Sequence, residues 1–243
     1  MRQQPPTGLG QGRPGPAGTK GWTSGYALAP IAGALLALVA LVLVERRAAS
    51  PVLPPSLLAM VRVRAALLAA AVSCFAFFGA MYLLGMELQH TQRLSPLDAG
   101  LAMLPLTFPV CVMPFFTGRL VARFGARPVL ITGMSATALA GVLLAFGGGQ
   151  HIPLPLIVAA ELALAATGTL SIPGAGAAMA VAAPPEFAAT SQGALNGIRQ
   201  GGSALGVAVL GTLGSLQGAG FILIALGLLA VALITRGTAG NRH

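Results

Sequence analysis

The chain has 243 residues, 56% of them hydrophobic and only 8% charged, with fourteen Lys and Arg against five Asp and Glu. Soluble domains carry about 25% charged residues, so a water-facing globule is excluded. A net charge of +9 could serve nucleic acid, yet the arginines fall between apolar runs, where positive charge sets membrane orientation. Cys74 and Cys111 lie inside apolar runs with no CxxC spacing, so neither a disulfide framework nor a zinc site is indicated.

Residues 1–25 are dominated by Pro and Gly, from Pro5 and Pro6 to Gly18. Such a segment buries too little to offset its ordering entropy and reads as a low-complexity loop or tail. Seven apolar stretches follow, at about 26–44, 65–88, 97–118, 128–147, 154–178, 189–213 and 219–235. Each can cross about 30 Å of hydrocarbon. Backbone groups in lipid must be satisfied internally, and alternation with period two is absent, so the segments are helices and not barrel strands. The sequence therefore predicts an all-α integral membrane protein with seven transmembrane helices. Arg46, Arg47, Arg62, Arg64, Arg119, Arg123, Arg127, Arg236 and Arg242 share one side if the helices alternate, and Arg93 alone sits in the opposite loops. The positive-inside rule makes the arginine-rich side cytoplasmic and the C-terminus inside. Arg2, Arg13 and Lys20 then lie on the outer side, against that rule.

Segment 189–213 carries the densest polar pattern. Gln192, Asn196, Arg199 and Ser203 recur at i, i+4, i+7 and i+11 and share one helix face. Gly193, Gly197 and Gly201 form a small-xxx-small stripe on another, which reads as a helix-packing surface. The polar stripe either bonds helices together or lines a substrate or proton path, because an intramembrane arginine is a functional hypothesis by default. Glu161 is the other deep ionisable group. By rise per residue, roughly 12 Å from the outer surface for Glu161 and roughly 14 Å from the inner one for Arg199, the two share a depth and suggest a Glu161–Arg199 pair. Alternatively, Glu161 faces an aqueous cavity alone and carries a proton. Glu87, beside Gln89 and His90, reads as a solvated helix end, and Asp98 as a helix-start carboxylate. Pro105, Pro109, Pro114 and Pro173 predict kinks or freed carbonyls.

No HExxH, GxSxG, GxxxxGK[ST] or paired hydrolytic acids occur, so the sequence argues against an enzyme and gives no nucleotide site. Any transport would run on a gradient. Neither a metal site nor a bound cofactor is expected.

GRLVARFGARP, Gly118 to Pro128, resembles the G-x-L-a-D-R-x-G-x-R loop motif of the major facilitator superfamily. LQHTQRLSPLDAGLAMLP, with Gln89, Ser95, Pro96, Ala99, Gly100 and Pro105, resembles the junction of the first two core helices of that family's C-terminal half. NGIRQGGSALGVAV (Asn196 to Val209) is similar to the penultimate helix of the fourteen-helix drug:proton antiporter branch, and Gly21-Trp22 to the loop before its central extra helix. The resemblance implies a linker helix and loop over 26–64, a six-helix C-terminal bundle over 65–236 and a cytoplasmic tail at 237–243. It implies helices 65–88 and 154–178 lining the cavity, and 97–118 and 189–213 facing the other half. Gly118, Arg119, Arg123, Gly125 and Arg127 would form the conformational loop motif, although Ala122 stands where the family has its aspartate. Glu161, Arg199, Asn196, Gln192 and Glu87 are the candidate substrate or proton path.

Substrate in this superfamily binds between two halves that rock against each other. The chain therefore reads as the C-terminal half of a proton-coupled exporter of amphipathic molecules, with an N-terminal half or a second copy as partner. A transport-inactive membrane remnant is the alternative. Thirteen arginines against one lysine, with heavy alanine use, suggest a bacterial plasma-membrane protein from a high-GC genome.

Overall fold

A computed structural model of the protein describes residues 55–147, 152–213 and 215–236. The predicted tail, the predicted helix at 26–44 and the terminal stretch 237–243 lie outside them. Regular structure among the described residues is entirely helical. In chain order the helices are α1 (Pro55–Ala59), α2 (Val61–Met86), α3 (Pro96–Ala102), α4 (Leu104–Val112), α5 (Pro114–Phe124), α6 (Ala126–Phe146), α7 (Leu154–Ala166), α8 (Ile172–Ala182), α9 (Ala188–Leu213) and α10 (Leu216–Arg236). Two π-helical turns, Glu87–Thr91 and Thr167–Ser171, extend α2 and join α7 to α8.

Four stretches are long and apolar enough to cross a membrane: Val61–Thr91, Ala126–Phe146, Leu154–Ala182 and Leu216–Arg236. A fifth arises if α4 and the Phe115–Phe124 part of α5, bent by 65°, form one span. Against seven expected, the described residues thus give four or five by length and composition. Helix α9 has 26 residues, but its polar first half keeps it below that threshold.

The stretch expected as one helix at 97–118 is three pieces. Pro105, Pro109 and Pro114 each remove an amide donor, and a chain so depleted bends or breaks. The arginine-rich connection after it is shorter than its sequence suggests: α5 runs to Phe124 and α6 begins at Ala126. Gly125 alone makes the turn, at φ 83 and ψ 162, a region open essentially only to glycine. On the other side, Ser95 caps α3 by accepting from the Asp98 amide at 3.2 Å and donating to its carboxylate at 2.7 Å. This is the reciprocal logic of a capping box, with Asp98 as partner of the cap.

Two helix pairs make the bundle. In one, α2 meets α9 where Gly79 faces the backbone of Gly206, and Gly202 faces that of Ala71. In the other, α6 meets α10 through Gly141 and Gly220, each blocking any side chain on its partner. Backbones this close gain dispersion and lipid exclusion, which drive helix association in a bilayer. Gly193, Gly197 and Gly201, expected as the packing stripe, are exposed, with open space where a Cβ would sit. Within the described bundle, the packing glycines of α9 are Gly202 and Gly206, on the face that turns toward α2.

Replacing Gly206 by Leu should therefore separate α2 from α9 and lower stability by about 1–3 kcal/mol, as overpacking does. Gly197→Ala should leave the melting temperature in detergent unchanged or raise it slightly, since a better helix former enters open space. A separate test isolates the turn. Gly125→Ala meets no neighbour, so any loss of stability, expected at about 1–3 kcal/mol, reports backbone strain alone.

Candidate functional site

The span Leu154–Ala182 carries most of the unusual chemistry. Its α-helical bonding fails at Thr167–Ser171, where five residues adopt a π-helical turn, a feature common at functional sites. Pro173 follows, and having no N–H it cannot bond the carbonyl of Thr169 four residues back. That carbonyl finds a donor elsewhere: Thr117 of α5 gives its hydroxyl at 2.9 Å, deep in the bundle. Thr167 is held the same way, 3.0 Å from the hydroxyl of Thr137 on α6 and 3.3 Å from the Gly133 carbonyl. Gly133 also leaves just enough room for the Ser171 side chain, whose buried hydroxyl has no partner among the described residues.

Arg199 of α9 reaches across to the same irregular segment. One terminal nitrogen donates to the Ile172 carbonyl at 2.6 Å, and the guanidinium lies against Gly176, where a Cβ would meet it at 3.2 Å. Its own carbonyl accepts from Ser203 at 2.9 Å. The buried Cys74 of α2 adjoins both Arg199 and Ser203, so three helices converge at this cation.

The expected Glu161–Arg199 pair does not form. Glu161 is 0% exposed and neither carboxyl oxygen has a hydrogen-bond partner among the described residues. Matched depth does not pair the two groups because the helix is not uniform: eleven residues beyond Glu161 it offers Arg199 the Ile172 carbonyl. An unpaired carboxyl in a dry setting is tolerable as the neutral acid and costly as an anion.

Gln192 and Asn196 are exposed on the same helix as Arg199. Glu87 is half-buried in the first π-turn and accepts from Thr91 at 2.9 Å, at the opposite end of the bundle from Arg62. The bundle therefore joins Arg199 to the broken helix by a hydrogen bond, whereas among the described residues neither Glu161 nor Glu87 bonds to Arg199. Of the loop-motif residues, Gly118, Arg119 and Arg123 are helical in α5. Arg123 lies over the Phe124 ring at 5.3 Å. Arg127 ties the start of α6 to the end of α10 by donating to the Thr235 carbonyl at 3.2 Å.

The threonines that hold the broken helix, Thr117, Thr137, Thr167 and Thr169, were missed by reading for charge. One signal was available: a proline inside a long apolar span frees a carbonyl, and a hydroxyl must be found for it. Thr117→Val should thus leave the Thr169 carbonyl unsatisfied and lower stability by about 1–3 kcal/mol. In a Pro173→Ala background, where an N–H returns, the same substitution should cost less. A thermal-unfolding double-mutant cycle giving no coupling would refute this link.

Comparison with known proteins bears on what such a bundle does. Residues 66–240 match the Major Facilitator Superfamily. The methylenomycin A resistance protein of Streptomyces coelicolor is 36% identical over 194 residues, covering 79% of this chain and 40% of that protein. The tetracenomycin C resistance and export protein of Streptomyces glaucescens is 31% identical over 198 residues, 79% of this chain and 36% of its own length. Multidrug resistance protein Stp of Mycobacterium tuberculosis is 30% identical over 196 residues, again 79% of this chain and 35% of that protein. The chain thus spans two fifths or less of the length of each of these three relatives.

Proposed function

Because the chain belongs to the Major Facilitator Superfamily, we propose that it is the C-terminal bundle of a proton-driven exporter of amphipathic small molecules. The observation that carries the coupling is Glu161: fully buried, with both carboxyl oxygens unpartnered. No partner among the described residues anchors this group, so it can hold a proton while enclosed and release it when the surrounding helices admit water. Relatives named for antibiotic resistance and export support a drug-like cargo. Gln192, Asn196 and Arg199 supply the polar wall of the path. Arg199, gripping the Ile172 carbonyl, links α9 to the broken helix, so motion of one is felt by the other.

Alternating access requires a second bundle, and the exposed Gln192, Asn196 and Gly197 of α9 suit the surface that would receive it. We assign the protein to a bacterial plasma membrane with the arginine-bearing end and the C-terminus in the cytoplasm. The proton gradient is its energy source, and no bound cofactor takes part.

The test is dye and antibiotic export from cells expressing the chain alone and together with the N-terminal half of the methylenomycin A resistance protein. Export should need both halves and should stop with an uncoupler. Glu161→Gln and Arg199→Ala should each reduce it at least about tenfold, the size of effect expected for groups handling charge in the membrane. Glu87→Ala should leave most of it. Co-purifying halves that export nothing would favour a transport-inactive bundle, and a larger loss from Glu87→Ala than from Arg199→Ala would refute the choice of site.

A further inference from the structure

At its arginine-bearing end the bundle encloses a cavity of about 470 Å³ between the start of α2, the α5–α6 turn, the end of α8 and the end of α10. That volume falls in the range of about 300–1,000 Å³ that holds small ligands. Its walls are apolar and mostly small, with Ala66, Leu130, Ala178 and Ile234 among them, and among the described residues Arg62 and Arg127 are the charged ones lining it. No acidic side chain lines it among the described residues. Arg127 spends one nitrogen on the Thr235 carbonyl; Arg62 is exposed and makes no hydrogen bond or ion pair among the described residues. Val181, at the rim, is 82% exposed, so the chamber is open at that edge.

Two further features add positive potential. Helix α6 begins at the cavity with Gly125 as its N-cap and no side chain capping its first amides. Helix α2 also starts without a side-chain cap, one residue before Arg62. Uncapped amides and the positive end of a helix dipole favour an anion, here beside two guanidinium groups and above a greasy recess. An anion without a tail would leave the recess unfilled, and a neutral amphiphile would leave the arginines unanswered.

We propose that this cavity is a binding site for an anionic phospholipid, with the phosphate on Arg62 and Arg127 and an acyl chain between Ala66, Leu130, Ala178 and Ile234. Basic pockets between membrane helices take such headgroups, each arginine contributing to selectivity over zwitterionic lipid. This inference does not rest on the transport reading, and a bundle that moves nothing would bind the same lipid.

Native mass spectrometry of the 243-residue chain in detergent tests it, with dioleoyl-phosphatidylglycerol, dioleoyl-phosphatidylcholine and glycerol 3-phosphate as probes. One equivalent of phosphatidylglycerol should bind about tenfold or more tightly than phosphatidylcholine, and Arg62→Gln should weaken it about fivefold while leaving phosphatidylcholine unchanged. Ala178→Leu, which fills the recess and keeps both arginines, should weaken phosphatidylglycerol at least as much. Since Arg62 is exposed, its variant keeps the fold even if the Ala178 variant does not, and melting in detergent distinguishes the two cases. Equal binding of the two lipids, or an Arg62→Gln variant that binds as wild type, would overturn the site. Full competition by glycerol 3-phosphate would overturn the lipid and leave a soluble-anion site instead.

Discussion

Every backbone carbonyl that a membrane helix releases must be answered from inside the protein; this bundle answers one such carbonyl, that of Thr169, and binds a second carbonyl of the same broken helix, that of Ile172. Pro173 deprives the Thr169 oxygen of its donor, and the π-turn ahead of it displaces the local ladder. Thr117 takes the first carbonyl, from α5, and Arg199 takes the Ile172 carbonyl, from α9. The broken helix is thereby fastened to helices on two sides by polar bonds. In lipid there is no water to replace them, so each bond constrains position as well as contributing energy.

The glycine contacts and the polar contacts divide the work between them. Gly79–Gly206 and Gly141–Gly220 bring α2 against α9 and α6 against α10 with almost no intervening side chain. Such interfaces are steeply distance-dependent and hold each pair as a unit. Outside those pairs, hydroxyls join the broken helix to its neighbours, as Thr137 of α6 does with Thr167. The irregular segment Thr167–Ser171 is thus held to α5 and α6 by hydroxyl bonds, where the two pairs are held by glycine contacts.

Much of the fold was legible because apolar length is a strong signal, and five of the expected stretches coincide with helical runs to within a few residues. What failed did so for local reasons. The 97–118 stretch looks like one helix when only hydropathy is counted, but its three prolines break it. The arginine loop looks long because its residues are polar, whereas a single glycine at positive φ makes the turn and the arginines belong to helix ends. The glycines of α9 that meet α2 are Gly202 and Gly206, and a period of four in sequence does not say which side of the helix faces α2. Gly202 and Gly206 have the same spacing as Gly193 and Gly197.

The candidate site was harder to read because its governing element is a defect. Charges at matched depth suggested an ion pair, the default solution for two lone ionisable groups in lipid. An arginine, however, has five donors and donates to any strong carbonyl, and the broken helix supplies one at 2.6 Å, that of Ile172. Once Arg199 is bound to Ile172, Glu161 has no cation to answer, and its burial without a partner follows from that choice and not from a defect of its own. The same substitution of backbone for carboxylate leaves the two groups mechanically separate. The cation is tied to the fold, while the acid sits six residues before the irregular segment begins at Thr167, with neither carboxyl oxygen bonded among the described residues.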